Sequence, residues 1–166
     1  MPSLQPARSI QRNAPLQALR VVMSYDERIL RRKRLVTESG ADFMVDLGAV
    51  TSLDQGDAFV LDDGRLVSVI AAVEPVVLVR GNLPRLAWHI GNRHTPCQIA
   101  ADHLVIRCDP VLEAMLKILG AEVSLAMAAF TPEGGAYGHG RTMGHELGGH
   151  DLGGHAHDPN PFQENG

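Results

Sequence analysis

Aromatic side chains are scarce, at 4% of 166 residues. A core must therefore rest on Val, Leu, Ile, Ala and Met. Hydrophobic residues reach 45% and charged residues 20%, which suits a packed core and argues against global disorder. Cysteine is nearly absent. Cys97 and Cys108 are too few for a disulfide framework and form no C-x-x-C unit. No apolar run approaches the roughly 18 residues of a membrane span. The opening stretch mixes Pro, Gln, Arg and Ser and holds no signal-peptide apolar segment. Positive charge is not in excess. A net charge of -4, with histidine neutral, argues against a general nucleic-acid binder. A G-x-x-x-x-G-K-[ST] nucleotide loop is missing, so any energy coupling must come from another protein. No Ser-His-Asp or Cys-His constellation stands out. These absences lead to the expectation of a soluble cytoplasmic protein that is not an enzyme, with no nucleic-acid or membrane partner.

What is present divides the chain into four pieces. Residues 1–18 are weakly patterned and are expected to form a flexible arm. Residues 19–74 read as a small all-β module. Its apolar segments, among them Ala18–Met23, Phe43–Leu47 and Ala58–Leu61, are separated by the turn signals Ser39-Gly40, Gln55-Gly56-Asp57 and Asp62-Asp63-Gly64. The last turn, lying between Ala58–Leu61 and Leu66–Ala72, predicts a hairpin.

Residues 75–137 read differently. Pro75–Arg80 is a strand candidate. Leu83–Asn92 carries Leu83, Leu86, Ala87 and Ile90 at helical spacing, with Pro84 in its first turn and Gly91 near its end. Pro96–Ala100 and His103–Arg107 are short strands around an Ala101-Asp102 turn. Asp109 can cap a helix over Pro110–Leu119, which Gly120 ends. Ala121–Ala129 is a last strand. The order βαββαβ is the split, ferredoxin-like arrangement. The expected class is therefore α+β, completed by a disordered Gly/His-rich tail over residues 138–166.

From residue 131 onward fall ten of the 17 glycines and five of the eight histidines. Glycine this dense brings few side chains to a core and loses much backbone entropy on ordering. The tail carries His139, His145, His150, His155 and His157, interspersed with Glu146, Asp151 and Asp158. Imidazole is a good ligand for nickel, copper and zinc, and a Gly-rich backbone can fold around an ion. The bland alternative is a solvated tail or a purification tag, but a tag has consecutive histidines. His145-Glu146-Leu147-Gly148-Gly149-His150 is a near miss to the zinc-protease H-E-x-x-H motif. Its second histidine comes one residue late, and Gly148-Gly149 breaks the helix that motif needs.

The second candidate is His94, in Trp88-His89-Ile90-Gly91-Asn92-Arg93-His94. Gly91 is expected to end the helix, placing Asn92, Arg93 and His94 in a tight connection. A single histidine holds metal weakly. A two-fold dimer would bring two copies together, and tail histidines could complete the shell. Cys108 precedes a helix N-terminus, where a thiolate is favoured; the plainer reading is a half-buried residue at a strand end. Cys97 reads as core. Cys108 and His103 are weaker metal candidates, and His103 and His89 both have structural readings. The run Arg28, Arg31, Arg32, Lys33 and Arg34 reads as a solvated strand face that could also dock an acidic partner.

Three stretches carry a family resemblance: Trp88–Ile99, Asp109–Leu116, and Phe130–Tyr137 with its Pro132-Glu133-Gly134-Gly135-Ala136-Tyr137. In order and spacing they resemble the urease accessory protein E family, over roughly residues 19 to 140. The resemblance implies a homodimeric nickel metallochaperone that delivers Ni(II) for assembly of the urease active site. It also implies partnership with the urease accessory GTPase and, through it, the apo-urease assembly complex. His94 matches the family's dimer-interface histidine, and the tail histidines match its variable extra sites. The β-module resembles the family's partner-binding domain, and the βαββαβ half its metal-binding and dimerisation domain. Some members carry a histidine pair near the second helix start. Cys108 and Pro110 stand there in this sequence, so that peripheral site is absent or altered. Zn(II) or Cu(II) can compete for the same ligands, copper more strongly by the Irving–Williams order. The alternative function is a non-specific divalent metal store or buffer.

Overall fold

The computed structural model describes residues 2–135. The first six strands are β1 (Ala7–Gln11), β2 (Arg20–Met23), β3 (Ile29–Val36), β4 (Asp42–Ser52), β5 (Ala58–Leu61) and β6 (Leu66–Ala71). They form one sheet in the order β2-β6-β5-β1-β4-β3. The predicted hairpin is there: β5 and β6 pair antiparallel around Asp62-Asp63-Gly64, where Gly64 adopts φ 87. A side chain at that left-handed position would be strained, and glycine is not. The core of this half is aliphatic, as the composition requires. Val45, Val67 and Val69 are fully buried around one aromatic pair, Phe43 and Phe59, whose rings meet edge-on at 5.7 Å.

The arm expected over residues 1–18 is overturned. Within it, β1 is a central strand, parallel to β4 on one side and antiparallel to β5 on the other. Ala7 is fully buried, and the chain is pinned still earlier, where Leu4 N donates to Asp42 O at 2.7 Å. β1 lacks apolar alternation, because Arg8, Ser9 and Gln11 surround its one large apolar residue, Ile10. Its partners lie far along the chain, so pairing rather than local pattern makes it a strand.

The second half contains β7 (Val73–Arg80), α1 (Leu83–Asn92), β8 (Gln98–Ile99), β9 (Leu104–Arg107), α2 (Pro110–Ile118) and β10 (Glu122–Ala129). Its sheet runs β10-β7-β9-β8, and every pairing is antiparallel. The expected element order holds, with β8 cut to two residues. Asn82 caps α1 by accepting from Arg85 N, and Asp109 caps α2 by accepting from Val111 N and Leu112 N. Leu86 and Ile90 of α1 pack with Leu112 and Leu116 of α2 over Val77, Val79, Leu104 and Ile106. Each such side chain contributes about 1.5–3 kcal/mol by leaving water. The result is an α+β chain of two sheets. Among the described residues, no helix is long and apolar enough to cross a membrane.

The two halves are welded by a third cluster of Tyr25, Val76, Val105 and Phe130. The basic-run expectation fails at Arg28, which is only 3% exposed. Its guanidinium donates to Met23 O in the first half and to Phe130 O in the second. Tyr25 N donates to Glu74 Oε2 at 2.8 Å, and Arg107 pairs with Asp26 at 2.8 Å while its guanidinium stacks over the Tyr25 ring. Arg31, Arg32, Lys33 and Arg34 are solvated on edge strand β3, where charge blocks further strand pairing.

Candidate metal centre

Helix α1 is amphipathic. Leu86 and Ile90 face the core, while Trp88 is 65% exposed and meets the half-buried His89 ring edge-on. Gly91 does not end this helix. The chain continues helically through Asn92, Arg93 is the cap residue, and the left-handed turn falls on His94 with φ 55. His94 N donates to Gly91 O at 2.9 Å and Thr95 N to Ile90 O at 3.4 Å. This is a Schellman ending whose left-handed residue, usually glycine, is histidine. A non-glycine residue there carries backbone strain of order 1 kcal/mol or more. Strain of this kind at an exposed, metal-competent side chain points to function.

His94, Thr95, Pro96 and Cys97 line an open cavity of about 210 Å³ together with Glu133 and Gly134. The last two come from the segment after β10, which is pinned at three points. Arg28 holds Phe130 O, Thr131 N donates to Gln98 Oε1 at 2.9 Å, and Glu133 N donates to Cys97 O at 2.9 Å. Glu133 and Gly134, near the end of the described residues, thus lie beside His94. Cys97 packs against the second-half core, as expected, and its thiol meets Gln98 O at 3.7 Å. Burial first, then the Glu133 carboxylate, pushes that thiol up to about 11.

The other candidates lie apart. Cys108 is exposed, not half-buried, and opens with Arg107, Asp109 and Pro110 onto a neighbouring cavity of about 440 Å³. Thr95 and Pro96 line both cavities, but His94 opens only onto the first and Cys108 only onto the second. The β9 turn holds His103 Nδ1 against Asp102 Oδ1 at 2.6 Å, which lowers the Asp102 pKa. Among the described residues, no three His, Cys, Asp or Glu side chains come together as a metal cage. His139, His145, His150, His155 and His157 lie outside the described residues. Glu133 and Arg28 were not legible as site-building residues. The only signal for Glu133 was its place in the Pro132–Gly135 motif, and none marked the Arg28 side chain as buried.

Comparison with known proteins agrees along both halves. The family model described as UreE urease accessory protein, N-terminal domain, matches residues 2–72, and the C-terminal domain model matches residues 68–159. A urease accessory protein UreE from Paracoccus denitrificans is 65% identical over 134 residues, covering 80% of this chain and 86% of the relative. One from Rhodobacter capsulatus is 60% identical over 128 residues, covering 77% and 82%. One from Cereibacter sphaeroides is 64% identical over 128 residues, covering 77% and 70%.

Proposed function

The chain belongs to the UreE urease accessory protein family, and from that premise we propose that it is a cytoplasmic nickel carrier for urease maturation. It binds Ni(II) through His94 at a two-fold homodimer interface and passes it to the apo-urease assembly complex through the accessory GTPase. The observation that carries this reading is the strained, exposed His94 at the end of α1. The βαββαβ half is read as a ferredoxin-like metal-binding and dimerisation domain, and the six-stranded half as the partner-binding domain. The tail histidines, His139, His145, His150, His155 and His157, serve as additional ligands. The last described residues are pinned beside the His94 loop, which supports the tail histidines joining that site.

A carrier needs affinity without enclosure. An exposed imidazole on an open cavity satisfies that need, because the ion can be reached by the next ligand set. Nickel accepts nitrogen and oxygen donors, but so do copper and zinc, so selectivity rests on geometry, partner and supply. Protons compete with metal for imidazole nitrogen, so binding weakens on acidification.

Nickel titration by calorimetry tests the reading on the full chain, a chain ending at Tyr137, and the full chain with His94→Ala. The expected result is loss of one tight site per dimer with His94→Ala, and loss of only weaker sites on truncation. Parent-like binding by His94→Ala refutes the interface site and leaves a metal buffer made by the tail.

A further inference from the structure

Resting on that reading, we infer that Glu133 is a second ligand of the carried ion, supplying one carboxylate oxygen from each protomer beside the His94 imidazole. Glu133 is exposed and lines the same cavity as His94. Among the described residues that line this cavity it is the one acidic side chain.

Its backbone is fixed independently of any metal. Glu133 N is tied to Cys97 O at 2.9 Å, only three residues beyond His94. Two residues earlier, Thr131 N is tied to Gln98 Oε1 at 2.9 Å, and Phe130 O accepts from the buried Arg28. The chain on which the carboxylate is mounted is therefore held to the strand that follows the histidine loop. A ligand backbone held in place before binding loses less entropy when the ion arrives.

Charge gives the second reason. Imidazole is a neutral donor, so two histidines leave a divalent ion's charge uncompensated where two protein surfaces meet. A carboxylate at ligand distance attracts such a charge directly, which a neutral donor does not. One carboxylate from each protomer balances it. The resulting pair of nitrogens and pair of oxygens suits nickel, which accepts mixed N/O shells with positions left open. Those positions remain for water, a tail imidazole or the receiving protein.

The test uses the full chain and its variants Glu133→Gln, Glu133→Asp and His94→Ala, with nickel as the probe. Calorimetry follows the tightest site, and thermal melting without metal checks the fold. Glu133→Gln keeps the size and the backbone bonds of the parent. The expected result is a tenfold or greater loss of nickel affinity at that site with unchanged melting. Glu133→Asp, one methylene short on a fixed backbone, is expected to be weakened likewise. Parent-like affinity in Glu133→Gln overturns the inference. So does parent-like affinity in Glu133→Asp alone, which would leave charge without ligation. In both cases a lost site in His94→Ala keeps the carrier reading intact; parent-like binding in His94→Ala removes that reading itself.

Discussion

Replacing His94 by glycine is expected to leave the metal-free protein as stable or more stable, while removing its tight nickel site. The residue sits at φ 55 in the left-handed position of a Schellman ending. An L side chain there costs about 1–2 kcal/mol relative to its relaxed conformation. Glycine relieves that cost but makes the unfolded chain looser by about 0.4–1 kcal/mol. The difference is a gain of roughly 0–1.5 kcal/mol for His94→Gly. In a domain of this size that moves the melting temperature by up to about 6 °C. His94→Val goes the other way, because a β-branched residue tolerates positive φ least. Urea unfolding followed by far-UV circular dichroism, first in chelator and then in nickel, reads both effects. In nickel at a hundredfold excess over Kd, binding stabilises the parent by about 2.7 kcal/mol, and His94→Gly lacks that gain. The order of stability therefore reverses on adding metal. If His94→Gly is less stable than the parent in chelator by 1 kcal/mol or more, the backbone reasoning at this turn is wrong.

Arg28→Ala strips the donor from Met23 O and Phe130 O in a buried joint, so it is expected to cost about 2–4 kcal/mol in urea unfolding; a cost under 1 kcal/mol would mean that the joint is not built on this side chain. Thiol labelling at pH 8 should modify Cys108 rapidly and the half-buried Cys97 far more slowly, since a thiol pushed up to about 11 is ionised in roughly one molecule per thousand at that pH; two equally fast equivalents would contradict the raised Cys97 pKa. The Ser3 hydroxyl, followed by Arg34, holds the Asp42 carboxyl below its ordinary 3.8. Stability from a depressed carboxyl is present above the unfolded value and is lost as pH falls through the folded one. Ser3→Ala should therefore raise the Asp42 titration toward 3.8 by NMR, and an unmoved titration would show that residue 3 is not docked on β4.

Much of the architecture was legible because it is local. α1 was readable over Leu83–Asn92 from one apolar face and Pro84, and α2 from Asp109, Pro110 and Gly120. The Asp62-Asp63-Gly64 hairpin was readable because φ 87 at Gly64 favours glycine. β1 was not readable, since a five-residue strand with one large apolar side chain is defined by β4 and β5, not by its own pattern. Arg28 looked like its exposed neighbours in the basic run. Only the meeting of two sheets gives a guanidinium buried carbonyls to satisfy. The left-handed position was misplaced by a reasonable rule, because glycine commonly occupies it and here His94, three residues after Gly91, does.

By itself, the sequence determined the α+β class, the two-part division and the helices, because periodicity and capping are written in neighbouring residues. Tertiary structure alone decided that residues 7–11 close the first sheet and that Arg28 welds the halves. It alone decided that Cys108 opens on a different cavity from His94, and that Glu133 is carried back to the His94 loop from 39 positions along the chain. Those four facts depend on which distant backbone groups pair, and pairing across a fold leaves little trace in local pattern.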